Sequence, residues 1–123
     1  MKTIVFDFDN VIHTGYDGYK DGSIYGKIDA EVIEYIKTLM NKYCIAISTC
    51  RPATQVVDYM NNLDLGVKFE LFKRDFDKNI YWKKEGVVGV SNEKIPGIMY
   101  IDDKGYQYKG LESLKEAIGG RNE

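Results

Sequence analysis

The chain has 123 residues, 44% hydrophobic and 29% charged, with 17 Lys and Arg against 19 Asp and Glu for a formal net charge of -2. One domain spanning 1–123 is expected at this length, without the basic excess of a dedicated nucleic-acid binder or the roughly 18-residue apolar run of a membrane span. Two cysteines, Cys44 and Cys50, and one histidine, His13, exclude a disulfide scaffold, a four-cysteine zinc site and a His-rich metal site.

The apolar run Ile4-Val5-Phe6 stops at Asp7 and reads as a buried strand. An acid so close to Met1 argues against a signal peptide, and with so few cysteines the expected compartment is the reducing cytoplasm. Between His13 and Ile28, Gly15, Gly18, Gly22 and Gly26 alternate with Tyr16, Tyr19 and Tyr25, a loop or hairpin composition. Asp29 is a candidate N-cap, and Val32, Ile33, Ile36, Leu39, Met40 and Tyr43 predict a helix over about 30–42. Cys44 to Ile47 is a second buried strand, ending at Ser48-Thr49. Pro52 suits the first turn of a second helix, whose stripe runs Ala53, Val56, Val57, Met60, Leu63 and whose stop is Gly66. Val67 to Phe72 reads as a third strand, and 73–94 as a hairpin. Ile98 to Ile101 is a further strand meeting Asp102-Asp103, and Leu111, Leu114, Ala117 and Ile118 mark a last helix before Gly119-Gly120.

This alternation predicts an α/β fold with a central parallel sheet. Such sheets bind ligands beyond the carboxyl ends of their strands. The clearest strands end at Asp7, Thr49 and Asp102, all oxygen-bearing. In Asp7-Phe8-Asp9 the period-two spacing puts both carboxylates on one side while Phe8 turns inward. Clustered carboxylates repel unless a cation neutralises them. Mg²⁺ suits a few carboxylates, water and a substrate phosphate. Thr49 offers a hydroxyl to a phosphate, and Lys94 a point charge.

Ile4-Val5-Phe6-Asp7-Phe8-Asp9-Asn10-Val11-Ile12 resembles motif I of the haloacid dehalogenase (HAD) superfamily. Ile45 to Arg51 resembles motif II, Lys94-Ile95-Pro96-Gly97 the motif III lysine region (Lys73, Lys78, Lys83 and Lys84 also precede motif IV), and Tyr100-Ile101-Asp102-Asp103 the acidic motif IV. The resemblance implies a Rossmann-like three-layer sandwich and a Mg²⁺-dependent phosphohydrolase. Asp7 would be the nucleophile that carries an aspartyl-phosphate, and Asp9 the general acid and base. Thr49 and Lys94 would hold the phosphoryl oxygens. Asp7, Asp102 and the backbone carbonyl of Asp9 would hold the metal, with Asp103 supporting them. Asn10 stands where many members have glycine. About twenty residues separate Asp9 from the first long helix, too few for a separate cap domain, so the site is expected to be open unless the Gly/Tyr loop, the 73–94 segment or a second subunit closes it. The implied substrate is a small-molecule or terminal phosphate: a nucleotide, a nucleic-acid end or a sugar phosphate. Nucleic acid enters only as substrate.

Asn10, His13 and Arg51 are further candidates for contacts near the phosphate, and the loop tyrosines and Trp82 for a stacking surface. Two other classes compete. A receiver-like signalling module needs a phosphorylatable Asp at the end of a middle strand, where this chain has Ser48-Thr49-Cys50. A catalytically silent relative would not need Asp7 and Asp9.

Overall fold

The computed structural model describes residues 1–18, 20–73, 82–102, 106–107 and 110–119. Its centre is β1 (Lys2–Asp7), flanked on both sides by parallel neighbours, β4 (Tyr43–Ser48) and β7 (Met99–Asp102). The register pairs Asp7 with Ser48 and Phe6 with Ile101. The sheet continues outward from β4 through β6 (Val87–Ser91) to β5 (Lys68–Leu71), and β8 (Tyr106–Gln107) adds two residues beyond β7. The order β5-β6-β4-β1-β7 is parallel throughout. A parallel sheet covered on both faces explains why its strands are continuous apolar runs rather than alternating ones.

Three helices follow their caps and stripes closely. α1 (Ala30–Leu39) begins at Asp29, whose carboxylate accepts the Glu31 and Val32 N–H groups at 3.0 and 3.2 Å. It is shorter than the predicted 30–42, because the Lys42 N–H turns back onto the Leu39 carbonyl and Tyr43 opens β4. α2 (Ala53–Asn62) has Pro52 at its N-cap, just before the first turn, and α3 (Leu111–Gly119) closes the described chain.

Strand connections decide which face each element covers. β1 to β4 and β4 to β5 step the same way across the sheet, so right-handed crossovers bring α1 and α2 to one face. Val32, Ile36, Val56 and Met60 there share a core with Ile4, Phe6, Ile45 and Ile47, joined by Leu114 and Ile118 of α3. The steps from β5 to β6 and from β6 to β7 run back, so their connections belong on the other face. Phe72, Trp82 and Ile95 cover Val5, Cys44 and Ala46 there. Among the described residues the helices thus line one face, and the other is covered by connecting segments.

The predicted hairpin over 73–94 is not what forms. Residues 87–91 are the parallel strand β6, inserted between β5 and β4, and 74–81 lie outside the described residues. Two apolar runs joined by turn-like residues look alike whether they pair with each other or with distant strands. Trp82 is a core residue, not a stacking surface. It is buried against Phe72, its indole N–H donates to the Val87 carbonyl at 3.1 Å, and its own carbonyl accepts the Thr3 hydroxyl at 2.7 Å. A β-carbon on Gly89 would collide with its ring.

The segment after β1 reverses sharply. Asn10 adopts φ 70, the left-handed conformation that glycine and asparagine reach most readily. The Asn10 N–H then meets the His13 carbonyl at 2.9 Å, and the His13 N–H meets the Phe8 carbonyl at 2.8 Å. This folds β2 (His13–Thr14) back beside Asp9, where it pairs antiparallel with β3 (Lys27–Ile28). The glycine- and tyrosine-rich stretch is therefore a short two-stranded ribbon with an extended tip. No helix among the described residues is long and apolar enough to cross a membrane.

Candidate active site

The carboxyl edges of β7, β1 and β4 bring Asp102, Asp7 and Ser48 around one small cavity of about 130 Å³. Asp7 Oδ1 accepts the Phe8 N–H at 3.0 Å, which holds the carboxylate at the strand end. Thr49, one residue beyond β4, is buried; its N–H bonds the Ser91 carbonyl at 3.1 Å and its hydroxyl oxygen accepts the Arg51 N–H at 3.0 Å. That leaves the Thr49 O–H proton available as a donor. The register extends this polar row from Asp7 and Ser48 to Ser91 at the end of β6. Ser91 is not among the sequence-derived candidates, because 87–91 reads there as part of a hairpin and not as a neighbour of β4.

Asp9 sits in a different environment two residues on. Its Oδ1 lies 2.7 Å from His13 Nδ1 and 3.1 Å from Arg51 Nη2, and its Oδ2 is 3.1 Å from Arg51 Nε. His13 is fully buried, and its other ring nitrogen receives the Gly26 N–H at 2.7 Å. Arg51 is the hub. Besides Asp9, its Nη1 donates to the Gly22 carbonyl at 2.9 Å and the Ser23 carbonyl at 3.2 Å, while Gln55 of α2 also donates to Gly22 at 2.7 Å. A planar guanidinium can satisfy a carboxylate and two carbonyls at once, which an ammonium cannot do with the same fixed geometry. The ribbon tip is thereby tied to β1 and α2.

Beneath the tip lies a larger cavity of about 310 Å³ that opens beside Asp9 and is lined by Tyr16, Tyr25, Lys20, Cys50 and Gln55. Tyr16 and Tyr25 stack with ring centroids 6.0 Å apart, and the Arg51 guanidinium lies 5.5 Å from the Tyr16 ring. The Tyr25 hydroxyl donates to the Gly18 carbonyl at 2.8 Å, so the ring is fixed at both ends. Tyr16, Lys20, Gly22, Ser23 and Tyr25 of the ribbon cover this side of the site.

The remaining candidates are less tightly integrated. Lys94 is exposed on the segment that leaves β6 and makes no hydrogen bond or ion pair among the described residues. Asp103 and Tyr19 lie outside the described residues. Asn10 serves the backbone turn. Arg51, named in the sequence only as a possible phosphate contact, is instead the residue that holds Asp9.

Among the described residues, no three His, Cys, Asp or Glu side chains form a ready metal cage. Asp7 and Asp102 facing one cavity do fit Mg²⁺, which commonly takes one or two carboxylates and completes its shell with water and substrate phosphate. The Asp9 carboxylate is committed to Arg51 and His13, so only its backbone carbonyl would remain for such an ion.

Comparison of the chain with protein-family models, with curated proteins and with solved structures finds no match in any of the three.

Proposed function

We propose that the chain is a Mg²⁺-dependent phosphomonoesterase of the haloacid dehalogenase type. The observation that carries this reading is the division of labour at the end of β1. Asp7 shares a small oxygen-lined cavity with Asp102, and Asp9 borders a larger one. Two carboxylates in different surroundings can take different roles.

In this reading an Asp7 carboxylate oxygen attacks phosphorus, and the bond from phosphorus to the leaving oxygen breaks. That oxygen takes a proton from Asp9. Water then attacks the aspartyl-phosphate, gives a proton back to Asp9, and releases phosphate with the Asp7 carboxylate restored. Among the described residues Asp9 Oδ2 accepts only from Arg51 Nε, so it is the oxygen that can carry the proton once that one contact gives way. Thr49 and, after an inward turn of its exposed side chain, Lys94 would hold the phosphoryl oxygens. Mg²⁺, held by Asp7 and Asp102, would offset the repulsion between an anionic nucleophile and an anionic substrate.

The test is phosphate release from a broad phosphomonoester panel with Mg²⁺. Asp7→Asn should abolish release while leaving the circular dichroism spectrum unchanged. Asp9→Asn should lower turnover by about 10²–10⁴-fold, the usual weight of general acid–base work. Stable phosphorylation of the chain without turnover would point instead to a receiver-like module. No release from any ester would sink the enzyme reading.

A further inference from the structure

Resting on the phosphohydrolase reading, we infer that the 310 Å³ cavity is the leaving-group site and takes a flat ring with polar edges, the nucleoside part of a mononucleotide. Three observations lead there. The cavity around Asp7 and Asp102 is about 130 Å³, room for a phosphoryl group and a cation but not for an organic leaving group. The organic part of the ester must therefore lie elsewhere, and the large cavity opens beside Asp9, the residue that would protonate it.

The lining sets the chemistry. Tyr16 and Tyr25 are half-buried, and both line the cavity, which gives it an aromatic wall. Stacking on such rings accepts any base, because every base has a π-face. Beside them stand the Gln55 side-chain carbonyl, left over as an acceptor while its amide nitrogen holds Gly22, and the Lys20 ammonium, which lies 4.8 Å from the Tyr25 ring. These groups suit the ring nitrogens and exocyclic groups of a base better than a plain hydrocarbon ring. A simple sugar phosphate would bring no π-face to the aromatic wall. The volume lies at the small end of ordinary ligand sites, which favours a single nucleoside over a polymer end.

The site is built before a ligand arrives. Arg51 spends its donors on Asp9 and on the Gly22 and Ser23 carbonyls, and Gln55 Nε2 is bound to Gly22 as well. The walls are held by the protein, so little ordering is left for binding to cost.

The experiment is a calorimetric titration of the Asp7→Asn full chain, with Mg²⁺, using adenosine monophosphate, uridine monophosphate and ribose phosphate. Both nucleotides should bind at least about tenfold tighter than ribose phosphate, a typical worth for one stacked base. Tyr16→Ala should collapse that ratio. Cys50→Phe, which fills the cavity from an exposed position, should collapse it too and guards against a misfolded ribbon in the first variant. Equal affinities, no binding at all, or a nucleotide preference untouched by both substitutions would overturn the inference. Phosphate release by the wild-type chain from ribose phosphate, with no nucleotide preference, would overturn it while leaving the phosphohydrolase standing. Tyr16-dependent nucleotide binding with no phosphate release from any ester would uphold the ligand class and remove the enzyme reading instead.

Discussion

His13 donates its Nδ1 proton to Asp9 Oδ1 across 2.7 Å, and the direction of that bond is set on the far side of the ring. There Nε2 receives the Gly26 N–H at 2.7 Å. An amide N–H is always a donor, so Nε2 must be bare and the ring proton must sit on Nδ1. The ring thus couples the ribbon backbone to the orientation of Asp9.

The imidazole ¹⁵N spectrum should accordingly show a single Nδ1–H tautomer; a dominant Nε2–H form would contradict the geometry. His13→Ala should lower the unfolding free energy by about 2–4 kcal/mol, since it empties a buried site and strands the Gly26 N–H. Urea unfolding measures it, and a loss under about 0.5 kcal/mol, the level of an ordinary surface change, would show that His13 is not integral.

Arg51→Lys keeps the charge but cannot span Asp9, Gly22 and Ser23 together. The expected result is faster amide hydrogen exchange across 13–28 with little change in the sheet. Unchanged exchange in the ribbon would mean that Arg51 does not tie it down.

Gly89 faces the Trp82 ring and Gly26 faces the Thr14 carbonyl and His13. Gly89→Ala should destabilise by about 1–3 kcal/mol through overpacking. Gly26→Ala should cost at least as much, because its obstacle includes backbone that cannot rotate away. Thermal unfolding of the two variants checks both, and wild-type midpoints would refute the packing described.

The two thiols should behave differently. Cys50 is exposed, whereas Cys44 is buried in β4 and desolvation pushes its pKa up. A thiol reagent should label Cys50 in the native chain and Cys44 only after unfolding; equal labelling rates would contradict the burial. Burial also raises the Tyr35 pKa, with Tyr43 adding to it. Both groups stay neutral in the native state at pH values where the unfolded chain has begun to ionise them. Native stability should therefore be full below the ordinary thiol range and fall as pH rises through the ordinary thiol and tyrosine ranges. A flat alkaline stability profile would refute this.

Much of the candidate site was legible because it sits where local patterns end. An apolar run that stops at Asp7, another at Ser48-Thr49 and a third at Asp102 can each be read within a few residues. Asp29 and the spacing of Val32, Ile33 and Ile36 likewise carry α1 without reference to the rest of the chain. The spacing of Asp7 and Asp9 was equally local, but their separation into two cavities was not. Arg51 lies 42 positions from Asp9, and no periodicity links them.

The opening counts determined that one small core, no disulfide framework and no His-rich metal site were to be expected. The apolar runs determined that parallel strands would alternate with helices and end in oxygen-bearing residues. Tertiary structure alone decided that 87–91 enters the sheet between β5 and β4, that the described helices share one face, and that the tyrosine ribbon folds over Asp9. The physical reason is range. Helix stripes, caps and buried runs are set by neighbours a few residues apart, whereas strand order, crossover direction and the partners of a buried charge depend on contacts between distant segments that only the packed chain brings together.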